Sequence, residues 1–159
     1  MQKERFGIFF CPTVRATEEI ATRLAPLLFA QDVILLQGNL GVGKTTFAQA
    51  LIRACAVSSC TPKSPTFPCV LEYKVAQGRL LHCDFYRLRH ADEVFSFNLE
   101  DVLERDILLV EWAERAPPDF FPQDHLVIQF GMRPAGRFLH ISGSPAWKAR
   151  IESLALPES

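Results

Sequence analysis

A chain of 159 residues and 17.9 kDa is one domain's worth of polypeptide, long enough to bury a core without disulfide or metal staples. With 48% apolar, 11% aromatic and only 22% charged residues, it has the composition of a folded protein and not of a disordered one. Seventeen basic residues against 18 acidic ones leave a formal net charge of -1, so no global positive field draws in a polyphosphate backbone, and direct nucleic-acid binding is disfavoured.

The longest apolar runs, such as Val33 to Leu36 and Ile107 to Val110, fall far short of the ~18 residues a membrane helix needs, so no span is expected. The opening stretch has an acid, Glu4, between Lys3 and Arg5, and Pro12 interrupts the apolar cluster that follows; no secretory signal is visible. Cysteines at 11, 55, 60, 69 and 83 are odd in number and nowhere spaced Cys-x-x-Cys. They read as idle thiols of a reducing compartment, and the expected location is the cytoplasm.

In chain order, Thr17 followed by Glu18 and Glu19 predicts a helix start, with Ile20, Leu24, Leu27 and Leu28 on one face and a bend at Pro26. Val33 to Gln37 predicts a buried strand that runs directly into glycines 38, 41 and 43. Phe47, Ala48, Leu51, Ile52, Ala54 and Cys55 then recur at helical spacing. Val70 to Val75 and Arg79 to Cys83 predict a hairpin around a three-residue turn, Ala76-Gln77-Gly78. Phe95, Leu99, Val102 and Leu103 predict a helix over the acidic stretch, followed by a buried strand at Ile107 to Val110. Two further strands, Leu126 to Phe130 and Arg137 to Ser142, flank Arg133-Pro134-Ala135-Gly136, and a short helix is expected from Pro145. The alternation predicts an α/β fold, a single domain over residues 1–159 with a central, largely parallel sheet flanked by helices. The first dozen residues and the chain after Ser142 carry no motif.

Gly38-Asn39-Leu40-Gly41-Val42-Gly43-Lys44-Thr45 satisfies every defined position of the phosphate-loop pattern Gly-x4-Gly-Lys-Ser/Thr, and it lies between a predicted strand and a predicted helix. Glycines let the backbone turn N–H groups inward as an anion nest, and the helix points its positive end at the same place. In such a loop Lys44 reaches the β and γ phosphates and the Thr45 hydroxyl ligates Mg²⁺. A second acid is needed near the metal. Ile107-Leu108-Leu109-Val110-Glu111 ends an apolar strand in a carboxylate, and Leu80-Leu81-His82-Cys83-Asp84 does so less cleanly. A lone acid after a strand is ordinarily a solvated loop residue, so these two matter only in combination with the loop. Trp112, directly after Glu111, falls at a strand's carboxyl end, where ligands bind in open α/β sheets. Ser64-Pro65-Thr66 lies about where phosphate-loop proteins place a γ-phosphate sensor, although this feature alone favours a proline-stiffened surface turn. Arg87, Arg89 and Arg115 could serve phosphates or a partner; solvated arginines are the default.

Taken together, Gly38 to Thr46, Lys63-Ser64-Pro65-Thr66-Phe67, His82-Cys83-Asp84-Phe85-Tyr86-Arg87-Leu88 and Leu109-Val110-Glu111-Trp112 resemble the TsaE (YjeE-type) ATPases of threonylcarbamoyladenosine synthesis on tRNA. The likeness runs from about residue 13 to 142 and implies a phosphate-loop NTPase-like fold. It further implies that Gly38 to Thr46 bind ATP or ADP, that Lys44 and Thr45 hold nucleotide and Mg²⁺, and that Glu111 is the metal-associated acid. Asp84 is implied in hydrolysis, Thr66 in a switch-like segment, and Trp112 in activity at the nucleotide. The implied partners are TsaD and TsaB, which transfer threonylcarbamoyl to the adenosine beside the anticodon; tRNA is reached only through that complex. Asn98 stands where the family commonly has glycine, and asparagine tolerates the same left-handed turn. Two rivals stand beside this reading. A small-molecule kinase would bring an arginine-rich lid, which is not apparent, and a non-catalytic module would use ATP only to gate assembly. A GTPase would need an Asn-Lys-x-Asp segment, and Asn98-Leu99-Glu100-Asp101 lacks the lysine.

Overall fold

The computed structural model describes residues 3–65 and 70–154. Seven strands form one sheet in the order β1-β7-β6-β2-β5-β4-β3: β1 Glu4–Cys11, β2 Val33–Gln37, β3 Val70–Val75, β4 Gly78–Asp84, β5 Ile107–Glu111, β6 Leu126–Arg133 and β7 Gly136–Gly143. The sheet is mixed. Its four middle strands, β6, β2, β5 and β4, are parallel, whereas β3 and β7 fold back antiparallel on β4 and β6, and β1 pairs antiparallel with β7. The expectation of a largely parallel sheet holds for that centre alone, because two-residue hairpins attach β3 and β7 and only antiparallel strands can be joined so tightly.

Helices α1 Val14–Leu24, α2 Lys44–Cys55 and α4 Pro145–Glu152 cover one face of the sheet, and α3 Glu100–Arg105 with short 3-10 turns covers the other. Alternate strand residues serve the two layers: Ile34, Leu36, Leu80, Ile107 and Leu109 pack under α1 and α2, while Val33, Leu35, Leu81, Leu108 and Val110 pack toward α3. Burial on both faces is why β2 and β5 read as unbroken apolar runs.

Several boundaries differ from the sequence reading. Thr13, not Thr17, caps α1, its hydroxyl accepting the Ala16 N–H at 3.1 Å; Thr17 is buried one turn inside the helix. Pro26 bends the chain as expected, into a 3-10 turn over Ala25–Leu27. Gly78 pairs with Val75, so the first hairpin turns on Ala76 and Gln77 alone. The predicted helix through Phe95 and Leu103 is two pieces, a 3-10 turn at Ala91–Phe97 and α3, separated by Asn98 in the left-handed region (φ 49°, ψ 51°). Strand β1 escaped notice because a register shift between Arg5 and Gly7 breaks its alternation.

The end of α4 is fastened to the start of β2. Arg150 donates to Asp32 at 2.6 and 3.0 Å and to the Leu27 carbonyl at 3.1 Å, and its guanidinium lies 3.5 Å from the centre of the Trp147 ring. Truncation would leave a largely buried carboxylate without its cation. Arg150→Ala is therefore expected to lower unfolding stability by about 2–4 kcal/mol, measurable as a fall in urea midpoint at unchanged slope.

Candidate functional site

Parallel strands end together, and here three of those ends carry chemistry. Glu111 is in register with Leu36 on β2 and with Asp84 on β4, so the glycine loop after β2 and the two acids stand side by side at the carboxyl edge of the sheet. Strand β2 leaves through α2 toward β3 at one edge of the sheet, whereas its neighbours β5 and β6 lead on to β6 and β7 toward the other, and a reversal of this kind marks where open α/β sheets bind ligands.

The loop 38–43 needs its glycines for definite reasons. At Gly38 (φ 139°) a Cβ would lie 2.7 Å from the Phe130 carbonyl oxygen. Gly43 (φ 108°, ψ 14°) is the left-handed residue that starts α2, and a Cβ there would crowd the Arg137 Nε at 3.3 Å. No side chain caps α2 and its first turn holds no acid, so its leading N–H groups and positive end face the loop unopposed. Val42 anchors the loop in the core, whereas Leu40 is exposed.

Lys44 is only 4% exposed, and its ammonium donates to the carbonyls of Gly38 (2.5 Å) and Asn39 (2.8 Å) while lying 4.0 Å from the centre of the Trp112 ring. Burial lowers its pKa from the ordinary lysine value, against the opposing pull of Glu114, Glu111 and Asp84. The Thr45 hydroxyl donates to Glu111 Oε1 at 2.6 Å, and Glu111 Oε2 meets His82 Nε2 at 2.7 Å. Asp84 Oδ1 accepts the Tyr86 N–H at 2.9 Å. Burial raises the Asp84 carboxyl above its ordinary value and the neighbouring Glu111 adds to this, while the Tyr86 N–H, His82 and Lys44 oppose it.

Trp112 adopts the left-handed region (φ 57°, ψ 39°), which is strained for so bulky a residue and is typical of functional sites. Its neighbours hold it there: the Glu111 carbonyl accepts the Phe85 N–H at 3.0 Å and the Trp112 carbonyl accepts the Arg115 N–H at 3.0 Å. The indole packs 4.9 Å from Tyr86, and the Arg115 guanidinium lies over both rings at 5.5 and 5.2 Å.

Leu40, Gly41, Gly43, Lys44, Thr45, Thr46, Glu111, Trp112 and Arg137 line one open cleft of about 190 Å³. The structure thus brings together the loop Gly38 to Thr46, Glu111 and Trp112, with Asp84 at its edge. Thr66 lies outside the described residues. Of the three arginines weighed from sequence, Arg115 reaches the site, while Arg87 and Arg89 are exposed. Four residues of the site carry no assigned role in the sequence reading: His82 and Tyr86, which stand inside the His82 to Leu88 motif, Glu114, whose Oε1 accepts the Gly38 N–H at 3.5 Å, and Arg137. His82 was legible in principle, two residues before Asp84 and therefore on the same face of β4. Arg137 was not, because only the pairing of β7 with β6 and β1 carries it to a loop some ninety residues away in the chain.

Among known proteins, the sequence model of the threonylcarbamoyl adenosine biosynthesis protein TsaE matches residues 11–137. The chain belongs to the TsaE family. It is 42% identical over 103 residues to the tRNA threonylcarbamoyladenosine biosynthesis protein TsaE of Aquifex aeolicus, covering 64% of this chain and 73% of that one. The TsaE of Rickettsia bellii is 36% identical over 98 residues (62% and 68% of the two chains), and that of Synechocystis 37% over 113 residues (69% and 71%). The fold matches the crystal structure of Bacillus subtilis YdiB with a TM-score of 0.72 and 24% identity, over 98% of this chain and 97% of the other. No helix among the described residues is long and apolar enough to cross a membrane.

Proposed function

We propose that this TsaE-family chain binds ATP with Mg²⁺ and hydrolyses it, weakly alone and faster in complex with TsaD- and TsaB-type proteins, as the ATPase of threonylcarbamoyladenosine formation at position 37 of tRNA. The observation that carries the reading is the convergence of Lys44, Thr45, Glu111 and Asp84 around the uncapped start of α2.

The residues fit the nucleotide and the metal. Lys44 and the loop N–H groups oppose phosphate charge, and Arg137, whose Nε is buried without a hydrogen-bond partner among the described residues, lines the same cleft beside Gly43 as a further contact for the nucleotide. Among the described residues no three His, Cys, Asp or Glu side chains converge to hold an ion unaided. Thr45 and Glu111 instead suit Mg²⁺, which typically takes one or two protein ligands and completes its shell with phosphate oxygens and water. Bound there, Mg²⁺ supplies neutralisation of the charge that develops on the β and γ phosphates. Asp84, a carboxylate of raised basicity at the edge of the cleft, orients and deprotonates the attacking water. The near-neutral chain need not grip tRNA itself and reaches it through the partner complex.

The test is steady-state phosphate release from ATP and Mg²⁺, alone and with the TsaD and TsaB pair. Slow release that rises with the pair is expected; release unchanged by the pair would favour nucleotide-gated binding or an unidentified phosphoryl acceptor. Trp112, only partly buried and in a strained conformation, serves the site more than the core. Trp112→Ala is expected to keep the parent's far-ultraviolet circular dichroism and to lose threonylcarbamoyladenosine formation in the reconstituted reaction. A grossly unfolded spectrum would make it a core residue.

A further inference from the structure

His82 is fully buried on β4, in register with Leu109 of β5 and on the face of the sheet that carries Leu80, Leu109 and Glu111. A leucine would pack in such a layer at no polar cost. The imidazole makes one hydrogen bond, from Nε2 to Glu111 Oε2 at 2.7 Å, and its Nδ1 is buried with no partner among the described residues. With Nε2–H as donor to the carboxylate, Nδ1 is the bare lone pair, so the ring is oriented by Glu111 alone. Burying a polar atom without a partner is a cost that an apolar residue at the same place would not carry. A side chain that breaks the local rule and spends its one bond on a single partner is there for that partner.

Glu111 is 1% exposed, and its two oxygens have different neighbours: Oε2 faces His82 and Oε1 the Thr45 hydroxyl. We infer that His82 is a positioning residue, pinning Oε2 so that Oε1 is presented beside Thr45 to Mg²⁺ or to its bound water; this rests on the proposed nucleotide reading. Without the imidazole only the Thr45 hydroxyl would hold the carboxylate, leaving Oε2 unfixed, and metal affinity would fall while the loop's own grip on phosphate would not. Partners that orient a metal's carboxylate or histidine ligands typically contribute 10–100-fold to its affinity.

Glutamine at position 82 places an amide donor about where Nε2 stands, and asparagine reaches only about as far as Nδ1; both are polar and uncharged. ADP binding is measured by titration calorimetry across a series of Mg²⁺ concentrations. His82→Asn is expected to raise the Mg²⁺ needed for half of the affinity gain by about 10- to 100-fold, with Mg²⁺-free ADP binding unchanged. His82→Gln should return the midpoint to within about threefold of the parent. Asparagine superimposing on the parent, or weakening ADP equally at every Mg²⁺ concentration, would overturn the inference. Glu111→Gln separates the two readings. If it abolishes the Mg²⁺ dependence while His82→Asn does not alter it, the metal reading stands and His82 is only packing; if Glu111→Gln leaves the dependence intact, the metal reading itself has failed and the role of His82 with it.

Discussion

Lys44→Ala is expected to weaken ATP binding by about 100- to 10,000-fold. A charge-assisted hydrogen bond contributes about 1.5–3 kcal/mol, two are available to the β and γ phosphates, and each 1.4 kcal/mol is a factor of ten. The parent structure shows why no neighbour would compensate: the Lys44 ammonium is held by the Gly38 and Asn39 carbonyls at the mouth of the loop, whereas Arg137 approaches from the side of Gly43. The loss should not come from unfolding. Because burial lowers the Lys44 pKa, the folded state binds this proton less readily than the unfolded chain does, so the charge opposes folding below the folded pKa and the penalty disappears only as pH rises toward the ordinary lysine value. Lys44→Met, which keeps the buried stem, should therefore melt no lower than the parent at neutral pH and still lose ATP. Calorimetric titration of both variants decides the matter: either one binding ATP as tightly as the parent would end the phosphate-loop assignment.

The sequence carried the site's local parts well and its long-range parts badly. The glycine loop was legible because its chemistry is contiguous: a buried strand, three glycines, a lysine and a helix follow one another from Val33 to Cys55, and each constrains only its neighbours. Glu111 and Asp84 were visible as strand-end carboxylates, yet their adjacency depends on the parallel register of β4 and β5, which no local pattern specifies. The same limit hid Arg137, and it hid the antiparallel return of β1 along β7. Helix ends failed for a different reason. Thr17 with two following acids imitates an N-cap, but the tertiary position of α1 buries Thr17 and gives the cap to Thr13, a choice made by packing and not by propensity. At Asn98 the local rule and the fold agree, so its left-handed turn is legible in the sequence although helical spacing alone runs the two segments it divides together.

Asp84 is the residue on which turnover, as distinct from binding, should depend. Its side chain keeps to the edge of the cleft, bonded through Oδ1 to the Tyr86 N–H, so it does not share the loop's work of holding phosphate. Asp84→Asn preserves that bond and the volume while removing the negative charge. Expected are ATP and ADP affinities close to the parent's and a fall in phosphate release, in single turnover with saturating ATP, of about 100-fold or more, the usual scale for a lost general base. The pH profile carries the sign. Burial and Glu111 raise the Asp84 pKa, so the parent should lose activity as pH falls through a point above the ordinary aspartate value, and the residual activity of the asparagine variant should lack that limb. The same shift makes a stability claim. A carboxyl with a raised folded pKa costs stability progressively as pH rises from its unfolded to its folded value, and the penalty is complete above the latter, so at neutral pH Asp84→Asn should be no less stable than the parent. A variant that binds poorly would place Asp84 among the ligands of the nucleotide, and one that turns over at the parental rate would remove it from the chemistry, leaving Glu111 as the acid on which hydrolysis rests.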